Sequence, residues 1–465
     1  MKTEPRPERN RTDVALFTHS KRIIMRKNLY SLLIGVTAIL FATIIIFAKK
    51  PEKPKLSFKE RTGALAQSAE WLNTKKLMEG LIASIESNPN DNKSKLTLAQ
   101  AFIQEARITG DHAYYDQVSL NLLDEIITTD PLNFEALSYK STVLLSQHHF
   151  SDGLIVAQQA LAINGHSAFI FGLMCDANVE LGNYKEAVKM ADTMSSIRPD
   201  LRSYARVSYL REIFGDLPGA KQAIKLAVSA GYPGMEETEW ARMILGHLYE
   251  SEGSLDSAKQ VYNVALLERP DYAFAFAGLG RIEKANGNYD EAISYFKKAS
   301  SLMTEYSFSD ELTSLYDLDH QPINSMRSAR NVIAMLSPIA NKSENTTGHG
   351  HYADKEIAYA FLKVPDYDSA LTHAMIEYNR RPENIDVCET VAWVNYKKGS
   401  YSEANKYIDK ALRTNSCNPT LMCRAGLIKI KSGHADEGYK LIHKALTQDP
   451  FLDVELRKEA KPFIN

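Results

Sequence analysis

Residues 239–272 read EWARMILGHLYESEGSLDSAKQVYNVALLERPDY, and residues 273–306 read AFAFAGLGRIEKANGNYDEAISYFKKASSLMTEY. Set one above the other, these two 34-residue lines match Leu245-Gly246 with Leu279-Gly280, Gly253 with Gly287, Ala258 with Ala292, Tyr262 with Phe296 and Ala265 with Ala299. Apolar residues recur at helical spacing on both sides of the second glycine. Each line therefore predicts two amphipathic helices of about 12–15 residues joined by a short turn. A glycine inside a helix costs about 1 kcal/mol relative to alanine, so Gly246 and Gly280 need a reason. Close crossing of the second helix supplies one, with Ala258 and Ala292 as the matching small residues. Tyr262 and Phe296 give bulk that reaches the next pair, and Pro270 ends one helix before the next begins. These are packing positions, not chemistry.

Carried along the chain, the same register gives units near 168–201 (Gly182, Tyr184, Ala187, Pro199), 351–384 (Tyr367, Ala370, Pro382), 385–418 (Gly399, Tyr401, Ala404, Ala411) and 419–452 (Gly426, Gly433, Ala445, Pro450). Weaker units fit 134–167 and 201–235, and degenerate ones precede Pro131 and Pro89. This succession of L-G-x2-Y, A-x3-F and P resembles the tetratricopeptide repeat family. The resemblance implies an all-α solenoid of helical hairpins, a superhelix in which each pair buries its apolar face only against its neighbours. It covers an N-terminal array at 57–306 and C-terminal repeats at 351–452. Residues 107–115 read as an insertion, 307–350 as an irregular helix pair (309–317 and 323–338) with a polar loop, and 453–465 as a capping helix.

Ahead of the repeats, residues 29–48 read LYSLLIGVTAILFATIIIFA without a charge. At 1.5 Å per residue this run spans a hydrocarbon core of about 30 Å and predicts a single transmembrane helix. A cleaved signal peptide has a shorter apolar stretch of about 7–15 residues, so the run reads as a retained signal anchor. Residues 1–28 form a basic tail and 49–56 a linker. Basic residues flank both ends of the run, but the eight Lys and Arg before Leu29 sit in a short tail that resists translocation. The expected orientation puts the repeats outside the cytoplasm, on the periplasmic side of a bacterial inner membrane.

Composition narrows the function classes. With 44% hydrophobic and 24% charged residues the chain is a folded one. Residues 1–55 hold 12 Lys and Arg against 4 Asp and Glu, leaving 43 against 53 in the remainder, so nucleic-acid binding is not expected of the acidic repeat part. Four cysteines without a CxxC pair offer no zinc site; Cys417 and Cys423 could bridge only in an oxidising compartment. Cys175 stands where other repeats carry Gly246 and Gly280, as a small buried residue would. His148-His149 and the loop pair His349 and His351 have no carboxylate or cysteine at ligand spacing, so neither a metal nor a cofactor is expected. Asn92-Lys93-Ser94, Asn341-Lys342-Ser343 and Asn345-Thr346-Thr347 match the N-glycosylation triplet, which matters only in a eukaryotic secretory setting. No phosphate-cradling loop, nucleophile elbow or acid-base carboxylate pair is present, so the chain does not read as an enzyme and no small-molecule substrate is expected.

What the resemblance implies about function lies in the groove. In tetratricopeptide proteins the first helix of each pair lines the concave wall, at roughly positions 2, 5, 6, 9, 12 and 13 of the repeat. Carried over, these positions select Arg202, Arg206, Tyr209, Trp240, His247, Phe274 and Arg281, with Trp393 and Tyr396 as a second aromatic group. They also include Asp176, Glu180 and Glu212. Aromatic and arginine side chains dominate recognition hot spots, and the arginines suggest a partner with carboxylates. The clamp by which some relatives hold chaperone C-termini is not visible, since Gly172 and Asp176, or Glu389 and Trp393, stand where Lys and Asn are wanted. The expected function is a membrane-anchored scaffold or adaptor that binds protein or peptide partners in its groove during complex assembly. The alternative is an organelle import receptor with its solenoid in the cytosol.

Overall fold

Helical periodicity and its glycine or proline breaks translate directly into helices and turns. The computed structural model describes residues 56–345 and 351–464, and these hold 22 α-helices and no strand. Helix α1 (Ala69–Ser87) is followed by ten antiparallel pairs: α2/α3 (Asn92–Thr109, His112–Thr129), α4/α5 (Phe134–Ser146, Phe150–Ile163), α6/α7 (Ala168–Glu180, Tyr184–Ile197), α8/α9 (Leu201–Ile213, Leu217–Ala230) and α10/α11 (Glu236–Glu250, Leu255–Glu268). The array continues with α12/α13 (Ala273–Ala285, Tyr289–Leu302), α14/α15 (Tyr306–Leu318, Pro322–Asn345), α16/α17 (Asp354–Lys363, Tyr367–Arg380), α18/α19 (Ile385–Lys397, Tyr401–Ala411) and α20/α21 (Pro419–Lys431, Ala435–Gln448). A short α22 (Val454–Ala460) closes the chain. All 22 helices belong to the compact unit Lys59–Asn465.

Local signals set the helix ends. Asp200 accepts from the Ser203 amide while the Ser203 hydroxyl takes the Asp200 amide, a reciprocal cap at the start of α8. Asp216, Asp366 and Asn418 cap α9, α17 and α20 in the simpler way. The small residues then set how closely helices approach. A methyl group added at Gly278 would lie 2.6 Å from the Tyr262 ring, and one at Gly246 would also collide with it, so that ring is clamped between α10 and α12. Gly280 meets Phe296 in the same way at 2.8 Å. Cys175 is buried at its equivalent position, packed with Val179, Ala187 and Leu210.

The array winds far enough to touch itself. Gly182, in the turn between α6 and α7, has φ 80° and lies against the Glu383 carbonyl, in the connection between α17 and α18. A methyl group at Gly215, between α8 and α9, would stand 2.5 Å from the Asn415 carbonyl; one at Gly253, between α10 and α11, 2.8 Å from Pro450. The Tyr352 amide donates to Gln147 O at 3.0 Å, and His148 Nδ1 is 2.8 Å from Tyr352 O. Gly110, between α2 and α3, packs on Met303 and Thr304. The turn inside each of the first five pairs thus docks on the connection that follows the fifth pair after it. Side chains reinforce the seam: Arg381 pairs with Glu180, Asn384 Nδ2 donates to Glu180 O at 3.0 Å, and Arg413 Nη2 to Gly182 O at 2.9 Å. The corresponding turn glycines of the second winding, Gly287, Gly399 and Gly433, have nothing within 4 Å of an added Cβ.

Three expectations change. Residues 107–115 are no insertion: α2 runs to Thr109, Gly110 takes φ 76°, and α3 begins at His112, so they are the turn of an ordinary pair with longer helices. Residues 306–345 form a regular pair whose second helix is longer than its neighbours. All four cysteines are free thiols; Cys423 faces the core inside α20, whereas Cys417 lies at the seam near Lys444, so no bridge joins them. The run 29–48, expected to cross a membrane, and His349 lie outside the described residues. Among the described residues no helix is long and apolar enough to cross a membrane.

Candidate functional site: the concave groove

The first helix of each early pair faces inward, so α1, α2, α4, α6, α8, α10 and α12 together wall a cavity of about 1360 Å³. The N-terminal wall is mostly apolar or uncharged, with Leu77, Ile103, Gln104 and Tyr139, and Arg107 is its charged lining residue. The opposite wall carries Arg202, Arg206, Tyr209, Trp240, His247, Phe274 and Arg281, which the structure brings into this one groove. Trp240 and Tyr209 keep 42% and 41% of their surface exposed despite being large and aromatic. Trp240 meets the edge of Phe274, ring centres 5.1 Å apart, and Phe274 in turn meets Phe308 at 5.6 Å, so the exposed indole rests on a fixed aromatic base.

The arginines are engaged within the wall. Arg206 Nε donates to Asp176 at 2.8 Å and to Gly172 O at 3.2 Å, tying α8 to α6. Arg202 reaches Glu237 at 3.0 Å, and Arg281 makes a two-pronged contact with Glu250 at 2.9 and 3.1 Å. Glu250 also accepts from the buried Tyr262 hydroxyl. Burial opposes charge at Arg281 but Glu250 outweighs it, and the guanidinium is held well above its ordinary pKa. These cations are therefore satisfied before any partner arrives.

Trp393 and Tyr396 are not part of the open wall. They stack at 4.9 Å and are only 6% and 7% exposed, packed with Met422, Cys423, Leu452, Leu456 and Ala460. The reason is α22, which turns in over α18 and α20, with Lys397 bound to Glu459 at 2.6 Å and Lys284 to Asp453 at 3.2 Å. Arg424 lies over the Trp393 ring at 4.9 Å and pairs with Glu389 at 2.9 Å. The second aromatic group is thus the seat of the capping helix. Register alone could not place Leu77, Ile103 and Gln104 in the groove, because the first units lack the signature glycines; their helical spacing was the available signal.

His148 and His351 meet across the seam with ring centres 4.2 Å apart, and burial pushes both well below the ordinary histidine range, to about 3. Among the described residues no group of three or more His, Cys, Asp or Glu is placed to hold a metal ion.

Helical hairpins in tandem around an open groove define a helical-repeat solenoid. Residues 241–272 and 275–302 match the family model for the tetratricopeptide repeat, so the chain carries tetratricopeptide repeats there. Over 146 residues it is 29% identical to cellulose synthase 1 operon protein C of Komagataeibacter xylinus, a match covering 29% of this chain and 11% of that protein. The chain spans about a tenth of the length of that relative. Among solved structures it is similar to the thermophilic tetratricopeptide protein TTC0263 of Thermus thermophilus (18% identity, 40% of this chain, 94% of that one, TM-score 0.35). It is also similar to yeast Tom70 (11% identity, 85% of this chain, 93% of that one, TM-score 0.35).

Proposed function

We propose that this chain is a membrane-tethered scaffold or adaptor that binds a protein or peptide segment in the groove of α1 to α12. One observation carries the reading: Trp240, on a rigid aromatic base, and Tyr209 stay exposed on the concave side of a large groove, where a monomer gains nothing by leaving them open. The tether would be residues 29–48, with the repeats on the periplasmic side of a bacterial inner membrane and the work that of complex assembly. No acid-base or nucleophilic constellation in the groove supports a catalytic role.

Two measurements test this. Full-length protein purified in mild detergent should bring down defined partners. Trp240→Ala should weaken that binding by about 1–4 kcal/mol if the residue is a hot spot, with the melting temperature preserved. Partners retained at full affinity by the variant would remove the groove from consideration. A reporter fused after Asn465 that is active only after export should be active. Activity of a cytoplasm-dependent reporter instead would favour the import-receptor arrangement with the solenoid in the cytosol.

A further inference from the structure

Four of the five turns that dock along the seam place a glycine at positive φ: Gly110, Gly182, Gly215 and Gly253, between 69° and 80°. The α4/α5 turn does not. His148 stands there with φ 62°, a conformation strained for a residue with a Cβ, so its side chain must return what the backbone loses. It does so across the seam. Nδ1 lies 2.8 Å from Tyr352 O, and because a carbonyl only accepts, the neutral ring carries its hydrogen on Nδ1 and leaves Nε2 bare. Phe150 stacks on this ring at 5.3 Å and His351 lies tilted against it at 4.2 Å. Beside them His149 stacks on Tyr352 at 3.9 Å. The junction favours neutral rings. His112, His149 and His373 each have an aspartate, Asp116 at 3.3 Å, Asp152 at 3.6 Å and Asp354 at 2.6 Å, whereas His148 and His351 have no ion pair among the described residues. The charges that bear on them are mostly positive: Arg381 before α18, Lys355 on α16 and His112 on α3 at His148, and His148, His112 and His149 at His351, where Glu356 on α16 is the countering carboxylate. The other nearby carboxylates are engaged, Glu180 and Glu377 by Arg381 and Asp354 by Arg380 and His373.

We propose that this junction is a proton-operated latch: with neutral rings, His148 and His351 close the α4/α5 turn on residues 351–352, and a proton arriving on either ring in mildly acidic surroundings parts the two windings there. A histidine that is neutral in the closed junction and titrates near 6.5 in the open one favours opening about tenfold for each pH unit below that value. With both rings held down to about 3 by burial first and then by the neighbouring positive charge, the closed junction is fully stable above about pH 7 and weakens as pH falls from about 6.5 towards 3. His112 acts in the opposite sense. Burial opposes its charge but Asp116 outweighs this and raises the group, so His112 stabilises the fold in acid and is not the source of the release.

The test is amide hydrogen exchange of the full chain in mild detergent at pH 7.5 and 5.0, corrected for the intrinsic rate and read at two docking points of the seam. The Tyr352 amide, which donates to Gln147 O, reports on the latch; the Ile385 amide, which donates to the Tyr184 hydroxyl at 2.9 Å, reports on the neighbouring junction. Between the two pH values protection at Tyr352 should fall by about thirtyfold for each of the two rings, while protection at Ile385 changes by less than about threefold. His148→Gly, the residue that the other four turns carry, combined with His351→Gln should make protection at Tyr352 independent of pH. His351→Gln alone leaves the His148 hydrogen bond in place and should remove one thirtyfold step, which keeps the test open if the double variant does not fold. Protection at Tyr352 that is unchanged by pH, that falls equally at Ile385, or that falls in the variants as far as in the unsubstituted chain overturns the inference.

Discussion

Gly182 and Gly399 both stand in the turn inside a helix pair, and both have φ 80°, a conformation that costs a residue with a Cβ about 1–2 kcal/mol. Their surroundings separate them. Around Gly399 an added methyl group meets open space, whereas at Gly182 it would collide with the Glu383 carbonyl and stand 2.7 Å from the Asn384 amide nitrogen. Gly399→Ala should therefore lower stability by about 1 kcal/mol, and Gly182→Ala by about 1–3 kcal/mol more, because backbone must move aside. Paired thermal melts decide this, and equal losses would mean the seam is not closed in solution. The same contrast shows what single residues conceal. In the sequence both glycines announce a turn, and nothing local tells that one of them is also a contact surface for a segment about 200 residues away.

Helices were the most legible level, since caps such as Asp200 with Ser203 and breaks such as Pro199 and Pro382 act over three or four residues. Pairing was legible wherever glycine and alanine mark the crossing, as in α10 to α13. It was lost at α2 and α3, whose longer helices made Gly110 look like part of an insertion. Trp393 and Tyr396 occupy groove positions by register, yet α22 covers them from more than fifty residues further on, and no period reports that. The element that ends the repeats also holds a titratable group. Asp449 follows α21, its carboxyl is pushed up to about 6 by burial, and its Oδ1 accepts from the Phe451 amide at 2.9 Å. A carboxyl raised in the folded state contributes stability that is complete below its unfolded value near 4 and is lost as pH rises through about 6. Asp449→Asn keeps the acceptor and removes the charge, so it should raise the melting temperature at pH 7.5 and leave it nearly unchanged at pH 4. A gain of the same size at both pH values would sink this account.

An open repeat array is held together by neighbours alone and can unfold in sections. Here the first and second windings are joined by contacts that skip five pairs, from Gly110 with Thr304 to Gly253 with Pro450. Urea unfolding of the full chain should therefore show coincident transitions by far-ultraviolet circular dichroism and by tryptophan fluorescence, which reports from Trp71 and Trp240 in the first winding and Trp393 in the second. Two resolved steps would show the windings to be energetically independent. The seam also constrains how such a chain can change over time. Repeat proteins commonly tolerate gain or loss of a whole unit, because every interface between neighbours is locally the same. Deleting one of the pairs from α8/α9 to α14/α15 would leave each neighbour contact intact but slide the later connections one place along the earlier turns. Gly182 would then face Asn415 instead of Glu383, and Arg381 would no longer reach Glu180. The number of repeats is in this sense frozen, and lineages of this protein should vary in their loops and termini while keeping the count of pairs between Gly110 and Pro450 fixed.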